Sequence, residues 1–284
     1  MTNYSKENLP DIQKRGLKSD FEHYKEKYKD ILMMKREDGI LELKLHTDGG
    51  VFVHSWFWHE AFPAALSDIG NDPENQVIIL TAVGDRWMGT SPQVWKKTMR
   101  EWGSDGVNKA KFETTRILAN LVFNIDVPII SAINGPGGHF EYALACDLTL
   151  CTENSVFNDL HFLGGSSPGD GLGLAFQHIL GTKKAAYYCY TGKDIDAKMA
   201  LELGMVNEIV PREQLLERAW EIARYIMAHP RYMRYVTHAQ LMRPWKKALV
   251  EDQDMHTFSM TYANLLIDQP PFEFIKEMKS VGRL

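Results

Sequence analysis

Two residues nine positions apart, His161 and Asp170, open the chemical reading of this chain. They fall in Phe157-Asn158-Asp159-Leu160-His161-Phe162-Leu163-Gly164-Gly165-Ser166-Ser167-Pro168-Gly169-Asp170-Gly171, a stretch rich in small residues. An imidazole titrating near neutrality is the usual general base, and a carboxylate on its other nitrogen fixes the tautomer and stabilises the imidazolium. Taken alone, such a pair more often makes a turn than a dyad, and Pro168-Gly169-Asp170-Gly171 is strong turn chemistry.

Two glycine-bearing turns give a place for developing negative charge. Val83-Gly84-Asp85-Arg86-Trp87-Met88-Gly89 follows one apolar run, and Asn134-Gly135-Pro136-Gly137-Gly138-His139-Phe140-Glu141 joins another to a helical pattern. Main-chain N–H groups at such turns can hold an oxyanion, and two turns can set two donors around one oxygen. For each turn the plainer reading is a tight bend with glycines for sterics. Neither turn has the G-x-G-x-x-G or Gly-Lys-Ser/Thr pattern of nucleotide phosphate sites. Earlier, Phe52-Val53-His54-Ser55-Trp56-Phe57-Trp58-His59 packs rings and imidazoles into eight residues. It reads either as helix core or as the wall of an apolar pocket, to which Trp87 and Trp95 add.

The elements that must position these residues alternate. Strands are expected at Ile40–Leu45, Gln76–Leu80, Val127–Ile133, Asp147–Cys151 and Val206–Val210, where β-branched residues cluster between turn formers. Helices are expected at Trp56–Ile69, Lys109–Phe123, Ala175–Leu180 with a stop at Gly181, Ala197–Leu203 with Gly204 as C-cap, and Arg212–Ala228. Alternation of this kind implies an α/β fold. The division expected is a charged N-terminal extension at 1–30 forming a solvated helix, a core at 31–230, and an all-helical region at 231–284. The apolar faces of that last region must dock on the core or on another subunit.

Bulk properties narrow the partners. With 44% apolar and 24% charged residues in 284, and a formal charge of -5, the chain has the composition of a soluble globular protein without a basic face for nucleic acid. Cys146, Cys151 and Cys189 lack C-x-x-C spacing, so they suit neither a disulfide framework nor a metal site, and free thiols are expected. The first thirty residues lack a signal peptide's apolar run, and no stretch reaches a bilayer-spanning length. A cytoplasmic protein without membrane contact is the expectation.

Together, the two turns, Ala-Leu-Ala-Cys-Asp at 143–147, the Ser-Pro-Gly-Asp-Gly loop and Leu203-Gly-Met-Val-Asn-Glu-Ile-Val210 resemble the crotonase (enoyl-CoA hydratase/isomerase) superfamily. The resemblance implies a crotonase-like ββα spiral core with a C-terminal helical trimerisation region, assembled as a homotrimer or dimer of trimers. It assigns the oxyanion-hole N–H groups to Gly89 and Gly138, and sets Glu141 where hydratases keep one of two catalytic glutamates. The second, seven residues before the proline of the Pro-Gly loop, is here His161.

That histidine, the Pro-Gly-Asp-Gly loop, His139, His59 and the entry around His46 are similar to the 6-oxocamphor hydrolase type of β-diketone hydrolase. The resemblance then implies retro-Claisen hydrolysis of a cyclic β-diketone, with no cofactor, metal or coenzyme A. His161 would be the base, oriented by Asp170, and His139, His54 or the turn N–H groups would stabilise the enolate. Substrate-binding positions would be His54, His59, Trp87, Glu141 and Tyr262; His54 and Tyr262 depart from the subgroup, which has tryptophan and glutamate there. The alternatives are an acyl-CoA hydratase, isomerase or thioester hydrolase, and a catalytically silent binding module of the same fold.

Overall fold

The computed structural model describes residues 19–89 and 92–266, less the side chains of 92–100 and 102. Its centre is a six-stranded sheet of β1 (Leu32–Glu37), β2 (Ile40–Leu45), β3 (Val77–Ala82), β4 (Ile129–Ile133), β5 (Leu148–Cys151) and β8 (Glu208–Ile209), hydrogen-bonded in that order. Strands β6 (Val156–Phe157) and β7 (Ile195–Asp196) form a separate antiparallel ribbon. Only β1 and β2 pair antiparallel within the large sheet; the other neighbours are parallel.

Parallel strands covered on both faces read as continuous apolar runs, and β3 and β4 are buried at every position. Ile78, Leu80 and Ile129 enter the large core. Val77, Ile79, Ile130 and Leu150 face the other way, onto Leu215, Ala219, Trp220 and Ala223. Those four lie on one face of α7 (Arg212–Met227).

Five of the strands were expected, with ends displaced by a few residues; the last shrinks to two. β1 was missed. Its Leu32 and Met34 are buried while Met33 is exposed, an alternation blurred by methionines and charges. Asp38-Gly39, both at positive φ, closes the β1–β2 hairpin and was the available signal.

The remaining helices are α1 (Phe21–Lys27), α2 (Trp56–Gly70), α3 (Pro92–Phe123), α4 (Glu141–Leu144), α5 (Leu172–Thr191), α6 (Ala197–Glu202), α8 (Arg231–Leu241) and α9 (Arg243–Leu266). The stop expected at Gly181 is real, with φ 74 and ψ 160, but the chain re-enters helix immediately. A similar break at Gly103 divides α3.

The charged N-terminal segment is not simply solvated where it is described. Tyr24 is buried, and its hydroxyl donates to Asp72 Oδ2 at 3.0 Å while accepting from Asn75 Nδ2 at 3.1 Å. Residues 1–18 lie outside the described residues. At the other end, Met242, Trp245 and Leu249 join the main core, so the C-terminal helices dock on their own chain. Among the described residues no helix is long and apolar enough to cross a membrane.

This docking reaches the Pro-Gly-Asp-Gly loop. A Cβ on Gly169 would lie 2.0 Å from the main-chain oxygen of His256 and 2.5 Å from Met260 Cβ, both on α9. The loop therefore lies flush against α9 immediately before Asp170. Gly169→Ala is expected to lower stability by about 1–3 kcal/mol through overpacking, read as a lower urea midpoint; an unchanged midpoint would show that the loop and α9 separate freely.

Candidate active site

The two glycine turns leave the ends of β3 and β4 side by side and are laced together. Asn134 Nδ2–H donates to the oxygens of Ala82 and Gly84, each at 2.9 Å. Trp87 N–H donates to Pro136 O at 3.1 Å. A Cβ on Gly135 would stand 2.1 Å from Asp85 O, and one on Gly137 2.5 Å from Met88 N, so backbone meets backbone at both places.

That closeness has a consequence for the expected oxyanion hole. Gly89 N–H donates to Phe52 O at 2.8 Å, and Gly138 N–H to Met88 O at 3.2 Å. Both donors are engaged by main-chain carbonyls, so the turns do not present the two free N–H groups that the resemblance assigned to them.

What the turns do present is His139. Its φ is +53, a left-handed conformation that costs a non-glycine residue of order 1 kcal/mol. Its ring stacks on His54 with centroids 4.1 Å apart and on Tyr142 at 5.9 Å. Trp87, expected to wall the pocket, is wholly buried and donates its Nε1–H to the His139 carbonyl at 3.3 Å, so it holds His139 in place.

Around His139 and His161 gather three buried carboxyl groups. His139 Nδ1 is 2.8 Å from Glu141 Oε1 and 3.2 Å from Asp170 Oδ2. The same Asp170 oxygen is 3.3 Å from His161 Nε2, while Asp170 Oδ1 accepts from Leu172 N–H at 3.1 Å, at the start of α5. Asp159 Oδ1 holds the other side of His161, 3.1 Å from Nδ1 and 2.9 Å from its main-chain N–H.

Asp170 thus bridges two imidazoles, and the carboxylate on the far nitrogen of His161 is Asp159, which the sequence reading did not single out. Its signal was local: an aspartate two residues before a histidine makes an Asx turn onto that residue's N–H. Glu141, expected as a substrate-binding position, lies fully buried inside the cluster.

Electrostatics follow from this arrangement. Burial opposes charge on His139, but Glu141 and Asp170 outweigh it and push the imidazole up to about 10. Burial likewise opposes charge on His161, yet Asp170 and Asp159 raise it to about 9. Burial would raise Asp170 too, but the facing His161 and His139 hold it well below the ordinary carboxylate range. Glu141 moves the other way, to about 7, because burial and the Asp170 charge outweigh the pull of His139.

His54 and His59 form a different kind of pair. Both are buried, with their Nε2 atoms 2.9 Å apart, so one ring donates and the other accepts. Burial and the charge of His139 lower both, His59 to about 3 despite the attraction of Asp170. A neutral imidazole stacked on a charged one results. His46 is structural: Gly49 N–H donates to its Nδ1 at 3.1 Å, leaving Nε2–H to donate to Lys29 O at 2.8 Å.

Tyr262 is not brought to this centre. It is 55% exposed on α9, stacked with Phe258. The side chain of Trp95 lies outside the described residues. His139, Glu141 and Asp170 offer ligand atoms within 4.8 Å of one another, enough to approach a cation. Their short mutual contacts are equally those of a charged hydrogen-bonded cluster.

The spiral of parallel strands, with its chemistry at the strand ends and its helices folded back over the loops, is the crotonase architecture. The chain belongs to the enoyl-CoA hydratase/isomerase family, whose model matches residues 37–269. A β-diketone hydrolase from the cyanobacterium Anabaena sp. PCC 7120, solved bound to (S)-3-oxocyclohexyl acetic acid, is 34% identical, with a TM-score of 0.78 over 90% of this chain and 98% of that one.

An enoyl-CoA hydratase/isomerase from Mycobacterium paratuberculosis shares the fold at 19% identity, with a TM-score of 0.77 over 87% of this chain and 97% of that one. The hydroxycinnamoyl-CoA hydratase-lyase of Pseudomonas fluorescens is 31% identical over 61% of this chain and 64% of its own length. The short-chain-enoyl-CoA hydratase of Clostridium acetobutylicum is 30% identical over 58% and 62%. The chain thus spans somewhat under two thirds of these curated relatives.

Histidine ring titration by NMR tests the charge assignment. His139 and His161 are expected to stay protonated through neutrality, releasing protons towards about 10 and about 9, while His59 stays neutral down to about 3. A neutral His139 at pH 7 would sink it.

Proposed function

We propose that this chain hydrolyses a carbon–carbon bond of a cyclic β-diketone by a retro-Claisen reaction without coenzyme A. The observation that carries the reading is the pair of imidazoles flanking Asp170, with His161 where a hydratase has its second glutamate. The likeness to a β-diketone hydrolase over 90% of the chain supports it.

In this reading neutral His161 takes a proton from water, and the oxygen adds to one carbonyl carbon. Collapse of the adduct breaks the bond to the central carbon, whose electron pair leaves as an enolate. The proton held by His161 then passes to that carbon, giving a keto acid heavier than the substrate by one water. Charge on the enolate oxygen is met by the imidazolium of His139. The neutral His54 ring stacked against His139 shapes its surroundings. With the N–H groups of Gly89 and Gly138 already engaged, the imidazoles carry the stabilisation.

Retention of Glu141 favours a second reading, an acyl-CoA hydratase, isomerase or thioester hydrolase in which Glu141 and His161 share the acid and base roles. Exposed Val250, Met255, Phe258, Leu265 and Leu266 on α9 suit burial against other copies, as in a homotrimer or dimer of trimers.

Purified protein offered a bicyclic β-diketone without cofactor should yield the hydrated, ring-opened acid; consumption of crotonyl-CoA with the diketone untouched would decide for the second reading. His161→Ala is expected to lower kcat by about 10²–10⁴, and His139→Ala by about 10²–10³.

The pH dependence has a definite sign. A base must be unprotonated, and His161 is raised to about 9, so kcat/KM should climb as pH rises towards that value. A profile flat from pH 6 to 9 would remove His161 from the base role.

A further inference from the structure

Asp159 has no part in the reaction just described, yet it is completely enclosed and holds His161 twice through one oxygen. It closely follows strand β6, where Phe157 pairs with Ile195 of β7. Asn158 Nδ2–H donates to Asp194 Oδ1 at 2.7 Å and fixes the start of the turn. A single carboxylate oxygen therefore ties the imidazole to its own main chain, and rotation of the ring breaks the contact at Nδ1.

The two nitrogens of His161 face acids of different standing. Nε2 faces Asp170, which also lies 3.2 Å from His139 Nδ1, so this side of the ring looks into the charged centre. Nδ1 faces Asp159, behind the ring. A general base exchanges one proton with the reacting groups and keeps the other throughout. The nitrogen that exchanges must be the one facing the centre.

We infer that Asp159 is the positioning residue that keeps the second proton on His161 Nδ1, leaving Nε2 to exchange protons with the reacting groups. The inference rests on the reading of His161 as the base. Asp170, on this assignment, balances charge between two rings and does not set the tautomer. Asp170 and Asp159 both raise the ring's proton affinity against burial, and His139 opposes them.

The test uses the full chain with ¹⁵N-labelled histidine rings and needs no substrate. Above the point where His161 loses its first proton, the neutral ring should carry its proton on Nδ1, both in the unaltered chain and in Asp170→Asn. Asp159→Asn keeps an oxygen for the His161 N–H but removes the charge. The Nε2–H form should then appear, and His161 should titrate about 1–3 units lower.

If the diketone is a substrate, kcat in Asp159→Asn should fall about 10²–10⁴-fold with KM little changed. An Nε2–H tautomer in the unaltered chain overturns the inference whatever the variants do. So does an Asp159→Asn chain whose tautomer and titration are unchanged. Should the tautomer respond as expected while no diketone is hydrolysed, the functional reading fails and the hold of Asp159 on the ring stands.

Discussion

The site depends on one buried carboxylate, Asp170, lying within 3.3 Å of two imidazoles at once. Removing a carboxylate from water costs several kcal/mol even after relaxation. At an effective dielectric near 20, an opposite unit charge at this distance returns about 5 kcal/mol. One imidazolium alone would leave Asp170 close to break-even, and two make its ionised form secure. The arrangement is reciprocal, because the same carboxylate helps keep both rings charged against their own burial. When His161 gives up its proton, Asp170 still faces the charge of His139, while Asp159 is left with the neutral N–H groups of His161.

Most of the surrounding fold fixes the distances on which that balance relies. His139 stays left-handed because the turns on either side cannot part. Asn134 staples them, Gly135 and Gly137 let the backbones touch, and the Trp87 indole holds the His139 carbonyl. Asp170 is set from two sides, by Leu172 N–H at the start of α5 and by the contact of Gly169 with α9. His161 comes from a third element, the turn that follows β6. Three separate parts of the chain converge on one carboxylate, and each is braced by main-chain contacts that a sheet end or helix start supplies.

Much of this was legible in the residues because local chemistry and global fold agree. β3 and β4 read as buried strands since they are apolar on both faces, and the glycine turns follow them as tight bends must. The histidines and Asp170 stood out by type. What stayed hidden depends on distant pairing. No spacing in the sequence says that Phe52 O and Met88 O will take the N–H groups of Gly89 and Gly138. Nor does it say that Tyr24 will bury itself on Asp72, or that Trp87 will face a carbonyl instead of a cavity. Asp159 was passed over because beside a histidine in a small-residue loop it looks like one more turn former, and its burial is a tertiary fact.

The exchange at position 161 also explains why the acids come as a set. Suppose a carboxylate stood there, as the resemblance gives for hydratases, with Asp159, Asp170 and Glu141 unchanged. Four buried acids would then share the single cation of His139, a crowding of like charge that favours protonated carboxyls. With histidine there, Asp170 and Asp159 each face a cation, and only Glu141 is left to titrate near neutrality, at about 7. An imidazole at 161 therefore requires acids on both its nitrogens to be charged when buried, and those acids require it in return. His161, Asp159 and Asp170 therefore form one electrostatic unit, and a change at any of the three alters the charge balance of the other two.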